Sequence, residues 1–265
     1  MTDAVTTTPP RPRRTAPAVA VAVAAAATCL TLAPVGQAAP TRATLERGVV
    51  DVNTTVRFGA GSSAGTGMVV GARGLILTNN HVIEGATAIR VRDVRTSRRY
   101  TARVLGTDET RDIAVLRLVG AANMPTVRIG GSARVRVGDR VIAVGNANGS
   151  GGHPSISRGS VVRLNRSLTV RDDAGAVERL RGLIQVNARL VPGESGGPLY
   201  DAAGRVIGMN TAASVTTGAG GTTSTAGYAI PIARAMGVVR QVLSGRDSGT
   251  VRVGGTAFLG VEAGA

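Results

Sequence analysis

Lysine is absent from this chain: all 31 basic residues are arginine, set against 16 acidic ones for a formal net charge of +15. Chemistry that requires a lysine amine is excluded, including a Schiff base, a Ser–Lys pair and a P-loop phosphate site. Cys29 is the single cysteine, so neither a disulfide nor a thiolate metal centre can form within the chain. Histidine occurs only at His81 and His153, too few for a histidine metal set once one of them acts as a base. Gly59, Gly61 and Gly65 lack the spacing of a dinucleotide fingerprint. No cofactor and no metal are expected. Aromatic residues make up 2% and tryptophan is missing, which leaves little to stack on bases. With no nucleic-acid motif present, the charge predicts contact with anionic envelope polymers, lipid headgroups or acidic proteins.

Glycine, by contrast, is abundant at 37 residues. One glycine-built turn stands out, Gly193-Glu194-Ser195-Gly196-Gly197-Pro198-Leu199. Small residues on both sides of Ser195 let the chain bend tightly and let a carbonyl approach the hydroxyl. Such a turn can also aim two backbone N–H groups at a developing oxyanion. Gly61-Ser62-Ser63-Ala64-Gly65 has the same G-x-S-x-G spelling but reads as an ordinary turn between strands. A serine hydroxyl needs a base, and the base needs a group to orient it. No histidine follows Ser195, which excludes the order of the α/β-hydrolases. Only Asp3 and Asp51 precede His81, and strand–helix alternation is lacking, which argues against a subtilisin-like order. The order His, Asp, Ser remains.

His81 ends the run Leu75-Ile76-Leu77-Thr78-Asn79-Asn80-His81-Val82-Ile83, where an apolar strand delivers the ring to a strand end. His153 lies in a Gly/Asn/Ser-rich stretch, residues 146–155, that reads as a mobile surface loop. Asp112 opens the apolar run Asp112-Ile113-Ala114-Val115-Leu116-Arg117-Leu118 and is the preferred orienter. Asp108, in the preceding loop, is its competitor.

Residues 1–38 read as an export signal, with Arg11, Arg13 and Arg14 before an Ala/Val-rich stretch and Gly36-Gln37-Ala38 as a cleavage site. The route, Sec or Tat, stays open, as does retention as an anchor. Ala26-Ala27-Thr28 before Cys29 lacks a lipobox leucine. Those 38 residues hold three arginines and one aspartate, so the remainder carries +13. Residues 39–48 are expected as a linker, 49–245 as the globular body and 246–265 as a tail. Short alternating apolar segments separated by Gly, Asn and Asp predict antiparallel β-structure. One helix is expected after Pro231, with Ile232, Ala235, Met236, Val239, Val242 and Leu243 on one face and Gly245 as its stop. No internal sequence repeat is visible.

Together these segments resemble the bacterial HtrA (DegP-like) branch of the trypsin-like serine peptidases. The likeness runs through Gly65-Thr66-Gly67-Met68-Val69-Val70, residues 75–83 and 112–118, and Val141-Ile142-Ala143-Val144-Gly145-Asn146. It continues through Gly182-Leu183-Ile184-Gln185-Val186, the serine turn, residues 204–211 and Gly227-Tyr228-Ala229-Ile230-Pro231. It implies an all-β fold of two six-stranded antiparallel barrels with a C-terminal helix, split at 49–125 and 126–245. The resemblance also implies His81, Asp112 and Ser195 as a catalytic triad and the N–H groups of Gly193 and Ser195 as an oxyanion hole. Leu190, with Ala212 and Ala213, would line a pocket for a small or medium apolar P1 side chain. Unfolded or misfolded proteins would be the substrates, and a homotrimer is usual in the family. The end of the tail resembles the opening of a PDZ domain. Three residues depart from the family pattern. Asn187 replaces an acidic residue, Arg189 replaces a common alanine, and Glu194 stands where Asn or Asp is usual. A catalytically silent chaperone-like or envelope-binding module on the same fold is the alternative reading.

Overall fold

In the computed structural model, residues 39–56, 61–171, 177–217 and 223–254 are described, with side chains except at 170–178 and 212–225. The chain divides into two units, residues 1–36 and 37–265, and everything below belongs to the second. The expected leader and the PDZ-like end of the tail lie outside the described residues.

Six antiparallel strands, β1 (Val49–Val56), β2 (Gly61–Gly71), β3 (Leu75–Thr78), β4 (Ala86–Asp93), β5 (Arg99–Asp108) and β6 (Ile113–Leu118), form the first half. They run β5-β4-β1-β2-β3-β6, and a further β5–β6 pairing closes the ring. The second half comprises β7 (Arg140–Gly145), β8 (Ser155–Arg171), β9 (Val177–Val186), β10 (Pro198–Asp201), β11 (Val206–Thr217) and β12 (Thr223–Pro231). These close as β7-β8-β9-β12-β11-β10. Counted from each barrel's first strand, both rings have the same order. This is a structural repeat with no sequence echo, because a barrel demands only inward and outward alternation and register, not particular residues.

Several strands are apolar on both faces, and the packing explains why. Along β3, Ile76 faces the interior of the first barrel while Leu75 and Leu77 join a core shared by both barrels. On β6, Ala114 and Leu116 point inward, and Ile113 and Val115 join the shared core. Likewise Val141 and Ala143 fill the second barrel, whereas Ile142 and Val144 face the first. Each fully buried aliphatic side chain is worth about 1.5–3 kcal/mol, so the shared core fixes the two barrels against each other.

Three expectations need correction. The segment expected as a linker carries a short helix, α1 (Arg42–Glu46), whose Leu45 is fully buried. Its carbonyl accepts the buried Tyr200 hydroxyl at 3.0 Å. The C-terminal helix, α2 (Ile232–Leu243), buries Val238 with Ile232, Ala235, Val239 and Val242. Leu243 is half exposed because the last turn runs past the barrel. Finally, Gly61-Ser62-Ser63-Ala64-Gly65 is strand rather than turn: residues 61–65 pair with 56–52 of β1. A last strand, β13 (Val251–Val253), pairs with β5, so the tail returns to the first barrel.

Candidate active site

At the end of β3 the chain turns through Asn79 and Asn80 to His81. The Nδ1 atom of His81 lies 3.0 and 2.9 Å from the two carboxylate oxygens of Asp112. The backbone N–H of His81 donates to the same carboxylate at 3.0 Å. The Asp112 side chain is 3% exposed and that of His81 42%, so the carboxylate that holds the ring is buried while the ring itself lies nearer the surface. A carboxylate at Nδ1 keeps the proton there and leaves Nε2 as an acceptor.

Asp112 does not open β6 but immediately precedes it, in left-handed geometry (φ 55°, ψ 51°), closing the 3-10 turn Glu109–Arg111. Two contacts hold it. Asn79 Nδ2 donates to its carbonyl at 2.8 Å, and the Thr211 hydroxyl donates to its carboxylate. Asp108 has another task. Its buried carboxylate caps the same turn, accepting from the Arg111 N–H at 3.1 Å and the Thr110 hydroxyl at 2.8 Å, and it pairs with the Arg111 guanidinium.

Ser195 sits on the turn before β10, and its hydroxyl donates to the Thr211 carbonyl at 3.1 Å. Thr211 therefore touches both Ser195 and Asp112 and ties the serine turn to the His81 pair. The turn is clamped from two sides. Thr66 N–H donates to Ser195 C=O, Gly196 N–H to Asn210 C=O and Asn210 N–H to Gly197 C=O, each at 2.8 Å. Among the described residues, the N–H groups of Gly193 and Ser195 have no acceptor within the protein. Peptide geometry supplies the reason. The Pro192 carbonyl accepts from Asn148 N–H at 2.7 Å, and the Glu194 carbonyl from Gly197 N–H at 3.0 Å. In a planar trans peptide the N–H opposes the C=O, so both N–H groups point away from those partners.

Residues 146–155, expected as a mobile loop, are tied down at many points. The 3-10 turn Ala147–Gly149 presents Asn148 to Pro192, and Asn146 Oδ1 accepts from Gly151 N–H at 2.7 Å. Arg92 of the first barrel pairs with Asp51 at 3.0 Å and reaches the Gly152 carbonyl at 3.5 Å. His153 is bound to the Glu46 carboxylate at 3.0 Å, not to the Ser195 turn. Among the described residues, Glu194 pairs with no arginine. Its buried carboxylate accepts from the Ser155 hydroxyl and from Val191 N–H at 3.1 Å.

Leu190 is buried in the core of the second barrel and fills the space that a side chain at position 227 would need. Ala213 pairs with Gly227 and Ala212 with Tyr228 across β11 and β12. The side chains of Ala212 and Ala213 lie outside the described residues. Arg189 is exposed, and the Asn187 side chain accepts from Ser160 N–H at 2.6 Å.

Sequence reasoning missed four residues that build the site: Thr66, Asn79, Ser155 and Thr211. The Thr66 hydroxyl accepts from Asn146 N–H at 2.8 Å and donates to Gly193 C=O at 2.7 Å. The Thr78 hydroxyl takes its carbonyl at 2.6 Å. The available signal was a polar residue set within apolar, glycine-flanked strand sequence, as Thr66 is. Among the described residues, no group of three or more His, Cys, Asp or Glu side chains could hold a metal ion.

Comparison with known proteins gives concordant results. Residues 65–209 match the family described as Trypsin-like peptidase domain. Serine protease Do-like HtrB of Bacillus subtilis is 35% identical over 187 residues, 71% of this chain and 38% of that protein. A Haemophilus influenzae protein named "Probable periplasmic serine protease do/HhoA-like" is 37% identical over 201 residues, 76% of this chain and 40% of that one. Among solved structures, the HtrA-type protease AlgW with a tripeptide superposes with a TM-score of 0.63 at 33% identity. That superposition covers 78% of this chain and 64% of the other. The chain thus spans about two fifths of the length of the curated relatives it matches.

Proposed function

Since this chain belongs to the trypsin-like peptidases, on their HtrA/DegP-like branch, we propose that it is an exported serine endopeptidase acting on unfolded or misfolded proteins. The observation that carries this reading is the His81–Asp112 pair, linked through Thr211 to the Ser195 hydroxyl. For attack on a scissile carbonyl, the Ser195 hydroxyl turns from the Thr211 carbonyl toward Nε2 of His81. His81 takes the proton as Oγ bonds to carbon, then returns it to the departing amine; Asp112 holds the Nδ1–H tautomer and stabilises the imidazolium. Gly193 N–H and Ser195 N–H, which lack acceptors among the described residues, receive the oxyanion. Each such donor is worth about 3–4 kcal/mol at the transition state.

Leu190 beside Gly227 supports a small or medium apolar P1 residue, with Ala212 and Ala213 completing the pocket. The periplasmic name of the Haemophilus influenzae relative and the basic, apolar sequence of residues 1–38 support export, with those residues as the signal. Assembly as a trimer follows family likeness alone.

The test is labelling of Ser195 by a fluorophosphonate together with cleavage of unfolded casein. Wild type should do both and Ser195→Ala neither. Folded wild-type protein that takes no label and leaves casein intact would overturn the reading. If such protein bound unfolded chains without cutting them, the chaperone-like alternative would replace it.

Glu194 should support the oxyanion donors from behind. Glu194→Ala leaves Val191 N–H unpaired and the Ser155 hydroxyl with only the Gly145 carbonyl, 3.0 Å away, and so loosens the loop that carries Gly193. Small misplacements of this kind cost up to about 10²-fold, so kcat should fall about 10- to 100-fold with KM little changed. Glu194→Gln should restore most of it, because its amide can serve both partners. A Glu194→Ala enzyme with unaltered kcat would remove this role.

A further inference from the structure

Away from the serine turn, a cavity of about 440 Å³ opens where the two barrels meet, lined by Arg111, Arg179, Arg181 and Arg234 with Thr110 and the buried Leu183. Its arginines come from three elements: the 3-10 turn before Asp112, β9 and α2. On β9, Arg179 and Arg181 share one face, while Leu180 between them packs into the core. Arg234 on α2 is half-buried and gives one N–H to the Arg181 carbonyl. Its proton affinity is lowered by burial and then by repulsion from Arg111. The carboxylate in contact is that of Asp108, which is buried behind Arg111 and accepts from it. Glu109 belongs to the same turn but does not line the cavity.

Four arginines from three elements thus line one concave space, and among the described residues the carboxylate paired with them is that of Asp108. Like charges held together by a fold are costly unless an anion neutralises them, and planar guanidinium forks match phosphate oxygens with paired N–H donors. We propose that this cavity is a binding site for an anionic phosphate group, either that of a free polyphosphate or the phosphate of a lipid headgroup. A ligand seated there bridges Arg111 of the first barrel to Arg179, Arg181 and Arg234 of the second half, so it should stabilise the barrel pair. A second cavity, of about 410 Å³, carries Arg47, Arg95 and Arg128 beside α1 and supplies a control from which two charges can likewise be removed.

The experiment is calorimetric titration of the purified protein with tripolyphosphate at constant ionic strength, with thermal unfolding in parallel. Wild type should bind one equivalent, and saturation at a hundredfold excess over Kd should raise Tm by about 5 °C or more. The double variant Arg179→Gln/Arg181→Gln should bind at least tenfold more weakly, and Arg95→Gln/Arg128→Gln should bind like wild type. Equal weakening in both double variants would show a general charge effect and overturn the site, as would the absence of saturable binding. Co-sedimentation with phosphatidylglycerol vesicles, against phosphatidylcholine vesicles, identifies the source. Vesicle binding that tripolyphosphate displaces and Arg179→Gln/Arg181→Gln abolishes points to a headgroup. Tripolyphosphate binding without vesicle binding points to a free polyphosphate. Vesicle binding unaffected by that variant would overturn the assignment.

Discussion

Asp112→Asn should lower kcat on unfolded casein by about 10⁴-fold while leaving the protein folded. The carboxylate accepts from His81 Nδ1, from His81 N–H and from the Thr211 hydroxyl. An asparagine can keep its oxygen toward the His81 donors and turn its amide toward the Thr211 oxygen, which accepts as readily as it donates. The scaffold therefore survives. What disappears is the negative charge, at a position 3% exposed, where little solvent screens its stabilisation of the imidazolium. Should the amide instead face Nδ1, the proton moves to Nε2 and His81 no longer accepts from Ser195. Both arrangements disable the base. Steady-state kinetics with Tm measured alongside is the check, and a loss below about tenfold in a folded variant would mean that another group orients His81.

Gly196→Ala should destabilise the fold severely, by about 4 kcal/mol or more, a large share of the roughly 5–15 kcal/mol that holds a domain together. An added Cβ would lie 2.0 Å from the Thr66 carbonyl oxygen and 2.3 Å from the Thr78 hydroxyl, at a φ of +85°. Neither contact can relax cheaply. The Thr66 carbonyl is held by Thr78, Thr66 N–H by Ser195 C=O and Gly196 N–H by Asn210 C=O. Urea unfolding measures the loss. Gly131→Ala is the control: it meets nothing within 4 Å and has no left-handed backbone, so its effect should stay within about 0.5 kcal/mol. A Gly196→Ala protein as stable as wild type would mean that the serine turn is far less constrained than its contacts imply.

Much of the architecture was legible before any coordinates. Short alternating segments with Gly and Asn between them announced strands, and the apolar face after Pro231 announced α2. The errors share one cause. Leu243 fits the helical stripe by spacing but lies beyond the surface that α2 covers, and α1 is too short for a periodic signal. Its burial comes from Leu45 meeting the second barrel, a contact remote in sequence. Residues 146–155 look like a free loop because glycine and asparagine dominate them, yet Arg92, Glu46 and Pro192 all hold them from afar.

By itself, the amino-acid sequence determined the residue types available for chemistry: one serine on a glycine turn, two histidines, no lysine and strands in a β period. Those follow from composition and local spacing, which act over a few residues. Only the tertiary structure decided which aspartate meets His81, because Asp108 and Asp112 differ by one turn of chain and the partners that hold Asp112, Thr211 and Asn79, arrive from distant segments. It also decided that Pro192 and Glu194 turn their carbonyls to Asn148 and Gly197, which leaves the N–H groups of Gly193 and Ser195 without acceptors among the described residues. Directional hydrogen bonds between distant segments set those orientations, and no local pattern encodes them.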